Sequence, residues 1–327
     1  MRIESKKIMC AVDFSDFSNI VLTYGRSLAS EYGSTLCLCH ILSETHMVSS
    51  IGHSYIHYPD IQTGRVESAR EMLGKMAEKL DVECEVIVSS GHIADEINQI
   101  VQKNNIDMVI AATHGGSGIK RFLIGSVTDR LVKILKCPLL VLHAKEKHLT
   151  SVVAENIKLK RILVGCDFSS DSSLAFDYAL SLAQEFQTQL YLAHVIRPTE
   201  QIELPASDYI KIQGGEYTNW TRSEYLELKK KAADEDLKTK KTLFSRLERQ
   251  LSSLVPEESR NWCTPITTLL EGQPYKELVS YAEQKEIDMI VLGVHGHSLL
   301  ERFTVGSTTD RVISRASCPV LVVRQIS

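Results

Sequence analysis

The chain has 327 residues, of which 43% are hydrophobic and 24% are charged. This composition excludes disordered, collagen-like and linker-like classes, and the length predicts two domains. The formal net charge of −4 gives no general attraction to nucleic acid or to an anionic membrane. Any anionic ligand must therefore be held by local groups.

The first residues and the cysteines predict a soluble protein of a reducing compartment. The apolar run before Asp13 is too short for the core of a signal peptide. No stretch reaches the ~18 apolar residues that a membrane-spanning helix requires. The eight cysteines form no C-x-x-C pair. We therefore expect a cytoplasmic location and no membrane partner.

The chain contains an internal repeat. KKIMCAVDFS near the start matches KRILVGCDFS in the second half, which places Asp13 opposite Asp167. Residues 125–142 match residues 306–323 at nine of 18 positions. Such self-similarity is typical of a duplicated domain.

The repeat predicts two domains, at 1–146 and 157–327. The second copy is longer because it carries an insertion near 200–260, whose apolar residues have the spacing of a long amphipathic helix. Its charge clusters fit a solvated helix face better than a binding surface.

Both copies alternate short β-branched runs with segments of 3.6-residue periodicity, which predicts βαβ units and a parallel sheet. In the first copy the predicted strands are Ile8–Val12, Thr35–Ile41, Glu83–Ser89, Met108–Ala112 and Leu139–Leu142. Its predicted helices are Ser18–Tyr32, Arg65–Leu80, Ala94–Asn104 and Ser126–Leu135. In the second copy the predicted strands are Arg161–Gly165, Gln189–Val195, Ile266–Glu271, Met289–Gly293 and Val320–Val323. The fold class is therefore α/β, with two tandem doubly wound five-stranded parallel sandwiches.

A glycine pattern follows the fourth strand of the second copy. Gly293 and Gly296 are followed by Gly306 and Ser307, which open a helix. Glycine allows close approach of the backbone, and the free N–H groups at a helix start favour an anion. One hydroxyl of residues 307–309 is expected to cap the helix. A plain strand-to-helix turn remains the alternative.

The pattern G-x2-G-x9-G-[ST], the early strand ending in Asp and the final C-P-V-L-V-V strand resemble the universal stress protein family in its tandem form. The resemblance covers nearly the whole chain apart from the insertion and the termini. It implies an adenine nucleotide alpha hydrolase-like fold. It also implies binding of ATP, ADP or AMP, and leaves Mg²⁺ open as the counter-ion of the nucleotide.

Carried over by position, the resemblance implies a nucleotide site in the second copy. Asp167 would lie by the adenine and ribose, and the main chain at Val195 would meet the adenine edge. The ribose and phosphates would meet the remaining predicted residues: Gly293, His295, Gly296, Gly306, Ser307 and Thr308.

The first copy offers a weaker second candidate site. Ala112 replaces the first glycine there, and its methyl group stands where the resemblance implies close approach of a ligand. The residues at the matching places are Asp13, Ile41, Ala112, His114, Gly115, Gly125, Ser126 and Val127.

Catalysis is a weaker prediction than binding. His114, His295 and His297 lie near the predicted phosphates, with Asp129 and Asp310 in the helices that follow. The chain lacks a G-x4-G-K-[ST] motif, so we expect binding with slow or no turnover and assign no catalytic residue.

Two further groups of histidines carry no predicted chemistry. His40 and His194 recur at equivalent strand ends, where each would line the crevice or pack at the sheet edge. A zinc or copper site is conceivable in the first copy, but the spacings match no standard ligand motif, so no metal site is predicted. The residues concerned are Cys37, Cys39, His40, His46, His53 and His57.

The sequence therefore predicts a cytoplasmic stress-response protein that binds an adenine nucleotide, mainly in its second domain, and acts as a sensor or effector. A nucleotide-free interaction scaffold that binds an apolar ligand or a partner is the main alternative, and a slow ATPase is a third. The copies should pair as an internal pseudo-dimer through their last strands, Leu139–Leu142 and Val320–Val323. A homodimer is also expected to be possible.

Overall fold

The structure of the protein, a computed structural model, describes residues 5–43, 59–113, 125–143, 156–197, 210–213, 216–219, 238, 240–261, 263, 265–295 and 305–325. The first half contains β1 (Lys7–Ala11), α1 (Phe17–Tyr32), β2 (Thr35–Leu42), α2 (Pro59–Ala77), β3 (Cys84–Ser90), α3 (Ile93–Asn104), β4 (Met108–Ala112), α4 (Ser126–Ile134) and β5 (Leu139–Leu142). The second half contains β6 (Arg161–Gly165), α5 (Ser170–Phe186), β7 (Gln189–Ile196), β8 (Ile210–Gln213), β9 (Glu216–Asn219), α6 (240–254), a 3-10 turn (Glu257–Asn261), β10 (Ile266–Glu271), α7 (Pro274–Gln284), β11 (Met289–Gly293), α8 (Ser307–Arg315) and β12 (Val320–Val323).

Ten of the strands form one sheet in the order β10-β7-β6-β11-β12-β5-β4-β1-β2-β3. Each half contributes five strands, and all neighbours within a half are parallel. The prediction of two doubly wound five-stranded units is therefore confirmed. In both halves the sequence order reverses beside the first strand, which is where doubly wound folds open a crevice at the carboxyl ends of the strands.

The halves join through their last strands. β12 pairs with β5 in antiparallel register, with Leu321 opposite Leu140. Each half also reaches the last helix of the other half by one side chain. His143 Nε2 donates to the carbonyl of Ile313 at 2.5 Å, and Arg324 Nη2 donates to the carbonyl of Val132 at 3.1 Å. This reciprocal arrangement is the predicted pseudo-dimer, while assembly of further copies stays a prediction.

Helices cover both faces of the sheet and define two cores. One core packs α1, α2, α5 and α6 against the sheet, and the other packs α3, α4, α7 and α8 against the opposite face. Because both faces are covered, the central strands are continuous apolar runs, as in β1, where Ile8, Met9 and Cys10 are fully buried. Each core runs across both halves, so the sheet behaves as one layer of a three-layer sandwich.

The insertion of the second half is only partly helical. A two-stranded antiparallel hairpin, β8 and β9, precedes α6 and stands apart from the main sheet. The sequence predicted only a helix in the insertion, from apolar residues that begin at Leu226, so the hairpin that precedes them was missed. Among the described residues, Leu251 of α6 is fully buried and anchors the helix to the first core.

No helix in the described ranges is long and apolar enough to cross a membrane.

Candidate functional site

A cleft of about 700 Å³ opens at the carboxyl ends of β6, β7 and β11. Its volume lies in the range of small-molecule sites. Seven of the eight residues predicted for the second copy line it: Asp167, Val195, Gly293, His295, Gly306, Ser307 and Thr308. The eighth, Gly296, lies outside the described residues.

Two hydrogen bonds close the base of the loop between β11 and α8. Gly306 N donates to the carbonyl of Val294 at 2.8 Å, and Thr309 Oγ1 donates to the carbonyl of Gly293 at 2.7 Å. The expected side-chain cap is not seen, since the N-cap residue is Gly306 and no described side chain bonds the first N–H groups of α8. These N–H groups at Ser307 and Thr308 therefore line the cleft as donors, at the positive end of the helix dipole.

His295 is held by a residue that sequence reasoning missed. Asp171, in the first turn of α5, accepts from both the main-chain N and Nδ1 of His295 at 3.0 Å. His295 Nε2 is buried and has no hydrogen-bond partner among the residues that the structure describes. The bond from Nδ1 to Asp171 fixes the orientation of the ring and turns Nε2 away from Asp171. The first copy has Phe17 at the position of Asp171, and this departure between the repeats was the available signal.

A second histidine, His194, supports the connection after β6. Its Nδ1 lies 2.7 Å from the carbonyl of Cys166, to which it donates, and its ring lies 4.9 Å from that of Phe168. Phe168 has a φ of 63°, so this contact holds a residue in the left-handed region. Asp167 follows the same strand and accepts from Ser169 N at 3.0 Å. His194 thus both lines the cleft and packs at the strand end.

Gly293 is needed for packing as well as for lining the cleft. A Cβ at this position would lie 2.7 Å from the carbonyl carbon and the Cβ of Asp171. Contacts that short force the backbone to move. The sequence explained Gly293 by approach of a ligand, and the structure adds the approach of α5.

The first half has the same hydrogen bonds at the base of this loop, but Ala112 stands at the position of Gly293. Thr128 Oγ1 donates to the carbonyl of Ala112 at 2.8 Å, and Gly125 N donates to the carbonyl of Thr113 at 2.9 Å. Gly125 is required because a Cβ would lie 2.6 Å from the Thr113 oxygen.

Several candidate residues of the first half serve its own structure. Asp13 Oδ1 accepts from the hydroxyls of Ser15 and Ser18, at 2.6 and 3.0 Å. The side chain of Ile41 is buried in a core, and Val127 packs against that core. Ser126 is the exposed first residue of α4. His114 and Gly115 lie outside the described residues.

The other residues singled out by sequence play local roles. His40 Nδ1 donates to the carbonyl of Val12 at 2.7 Å, the counterpart of the bond made by His194. Cys37 and Cys39 are buried in β2. Asp129 pairs with Lys133 at 2.7 Å. No group of three His, Cys, Asp or Glu in the described part of the chain could hold a metal ion. His46, His53 and His57, where no metal site was predicted, lie outside that part, as does His297.

Fold and cleft together define a tandem α/β protein with a crevice at the switch in strand order. The model of the Universal stress protein family matches residues 4–143 and 158–324, so the chain belongs to this family and carries its domain twice.

Similar proteins span both the repeat unit and the tandem form. Universal stress protein MJ0531 of Methanocaldococcus jannaschii is 32% identical over 193 residues, which cover 58% of this chain and 98% of that relative. The universal stress protein E homolog of Haemophilus influenzae is 22% identical over 289 residues, covering 85% and 81% of the two chains. The crystal structure of a universal stress protein from Archaeoglobus fulgidus has a TM-score of 0.64 at 20% identity, covering 98% of this chain and 99% of that one. It shares the fold.

Proposed function

We propose that this chain binds an adenine nucleotide in the cleft of its second half and acts as a cytoplasmic stress-response sensor or effector. The single observation that carries the proposal is the convergence of seven residues, predicted from widely separated parts of the sequence, on one cleft. A glycine turn without a ligand role would not require Asp167, Val195 and Ser307 to share a cavity.

The chemistry of the cleft fits the parts of a nucleotide. Apolar surface from Ala193, Val195 and Leu292 suits a base, while Asp167 offers carboxylate oxygens to ribose hydroxyls. The first N–H groups of α8 suit a phosphate, because no described side chain caps them and they carry the positive end of the helix dipole. His295 Nε2, buried and without a partner in the described ranges, supplies a further polar group that a ligand would satisfy.

The free cysteines of the chain support a location in a reducing compartment. All eight cysteines are free, and six of them are buried. In an oxidising compartment an extracellular protein of this size commonly carries disulfides. The protein therefore fits a cytoplasm that keeps thiols reduced.

The first experiment identifies the nucleotide. The purified protein is denatured, and any released nucleotide is identified by chromatography and mass spectrometry. The emptied, refolded protein is then titrated with ATP, ADP and AMP by calorimetry. We expect one adenine nucleotide per chain. If none is released and none binds, the cleft is not a nucleotide site and the scaffold function takes its place.

A matched pair of variants assigns the site to one half. Ser307→Glu and Ser126→Glu each place a carboxylate at the exposed first position of an equivalent helix, where negative charge favours the helix itself. Both variants should therefore fold. Ser307→Glu should weaken ATP binding at least tenfold by repelling the phosphates, while Ser126→Glu should leave it unchanged. The opposite result would move the site to the first half.

Slow ATP hydrolysis is a second candidate, favoured by the pairing of Asp171 with His295. A carboxylate that orients an imidazole is a common way to position a general base. Phosphate release that disappears in His295→Ala, with ATP still bound, would support hydrolysis. Bound ATP that is recovered intact after long incubation would exclude it.

A further inference from the structure

A second pocket of about 350 Å³ adjoins the cleft on the side of α7. It shares Arg197, Pro274, Ser307 and Thr308 with the cleft, so a ligand at the start of α8 can extend into it without leaving the protein surface. Two guanidinium groups line it, from Arg197 after β7 and Arg311 in α8. The remaining lining residues are Gly272, Gln273 and Tyr275.

Within the described part of the chain, no carboxylate neutralises the two arginines of this pocket. Neither Arg197 nor Arg311 has a carboxylate oxygen within 4.0 Å among the residues that the structure describes. Glu271, at the end of β10, already pairs with Lys240 at 2.6 Å. Glu277 lies against Gly272, where a Cβ would come within 2.4 Å of its Oε1. Two arginines at one pocket, with no carboxylate partner in the described ranges, favour an anionic ligand.

The first half shows what the second half has changed. Arg130, the counterpart of Arg311, donates through Nε and Nη2 to Asp95 Oδ1 at 3.0 and 2.8 Å. The repeat places Lys276 at the position of Asp95. The second half has therefore replaced the carboxylate that neutralises this arginine by another cation.

A lysine at position 276 disfavours the helix α7, so its presence points to a role other than stabilising that helix. Lys276 stands in the first turn of the helix, where the dipole favours an acidic residue. The helix also presents Tyr275, whose ring lies 5.0 Å from the guanidinium of Arg311 and 5.3 Å from that of Arg315. Stacking on this ring orients Arg311 without neutralising it.

We propose that this basic pocket holds the distal phosphates of a nucleoside di- or triphosphate whose first phosphate lies at Ser307 and Thr308. The second half thereby distinguishes nucleotides by the number of their phosphates. The inference rests on the proposed function, since it extends the same ligand out of the cleft.

The test compares AMP with ATP on the full chain by calorimetry at one fixed salt concentration. Wild type should bind ATP at least tenfold more tightly than AMP. Arg311→Gln removes one charged donor and should weaken ATP about tenfold, the effect of one charge-assisted hydrogen bond, with AMP unchanged. Lys276→Asp restores the carboxylate found in the first half, so it should neutralise Arg311 and have the same effect.

The controls separate this pocket from the cleft. Lys276→Asp should fold at least as stably as wild type, because an acidic residue suits the first turn of α7. Arg130→Gln in the first half should leave both affinities unchanged. If AMP binds but the ATP-to-AMP ratio is the same in wild type and both pocket variants, the pocket proposal is overturned alone. If neither nucleotide binds wild type, the proposed function fails with it.

Discussion

Asp171 Oδ2 lies 3.0 Å from both the main-chain nitrogen and Nδ1 of His295. Its other oxygen, Oδ1, accepts from Gln325 N at 3.0 Å. The Asp171 side chain is only 8% exposed, so these three bonds form where water competes little. One buried carboxylate thus connects the start of α5 to the segments that follow β11 and β12.

Replacing this carboxylate should loosen one wall of the cleft. Asp171→Asn removes the negative charge and turns an NH2 group toward one of the donors now bonded to Asp171. We expect the free energy of unfolding to fall by about 2 kcal/mol, the contribution of hydrogen bonds to a charged group. Nucleotide affinity should fall with it. Urea denaturation and calorimetry would measure the two effects, and an unchanged midpoint would contradict the role of Asp171.

Asp177 on the same helix provides the control and a pH prediction. Burial raises the pKa of Asp177 above the ordinary aspartate value. The folded state therefore favours protonated Asp177. The stability that this protonated carboxyl contributes is present below the pKa of the unfolded state and is lost as pH rises through the higher pKa of the folded state. Asp177→Asn should flatten the acid end of the stability profile and should not destabilise the protein at pH 7. Melting curves from pH 3 to 7 would show this, and a variant less stable at pH 7 would contradict it.

Gly293 should be required even without ligand. Gly293→Ala places a methyl group 2.7 Å from Asp171 atoms, so the apo protein should lose about 1–3 kcal/mol of stability by overpacking. The reciprocal change Ala112→Gly should cost only about 0.5–1 kcal/mol, from the added freedom of glycine. Denaturant titration of both apo variants measures the difference. Equal stabilities would mean that the strand moves freely away from α5.

The two repeat units could be predicted because the apolar spacing of each element and the identities between the two copies can be read directly from the sequence. The bounds of β4, β5, β6, β10, β11 and β12 are those predicted. The Asp171–His295 pair was missed because it joins residues 124 positions apart, and its only signal in the sequence was Phe17 at the matching place of the first copy.

The hairpin β8–β9 and the Arg311 pocket were missed for different reasons. The hairpin precedes Leu226, the first of the apolar residues from which a helix was predicted. The basic pocket was missed because its charge depends on Arg311 having no carboxylate partner among the described residues. That difference becomes clear only by comparison with Arg130, which bonds Asp95 in the folded first half. Position-by-position comparison of the two copies held the signal, at Asp95 and Lys276.

The junction of the halves should make the chain unfold as one unit. Leu321 is 1% exposed and lies opposite Leu140 across the antiparallel pair of β12 and β5. Leu321→Ala leaves a cavity at the centre of the sheet and should lower the free energy of unfolding by about 2–5 kcal/mol. The exposed Leu243, replaced by Ala, is the control and should change stability little. Two separate transitions in calorimetry would contradict a shared core.

The thiols should be protected by burial rather than by pairing. Burial raises the pKa of Cys39 and of Cys166 to about 12. At pH 8 only about one such thiol in ten thousand is a thiolate, the form that reacts. Cys84 is half-buried, and burial raises its pKa less. Native protein should therefore react slowly with a thiol reagent at pH 8, beginning at Cys84.

The rate of labelling tests this protection against denatured protein. Full reactivity of all eight free thiols should appear only in denaturant. Cys84→Ser should remove the fastest native phase and leave the rest unchanged, because the other thiols react only when the sheet opens. Labelling of Cys39 or Cys166 in the native state at the denatured rate would show that the strands open far more often than their packing implies. Nucleotide binding, by closing the cleft beside Cys166, should slow the labelling of that thiol specifically.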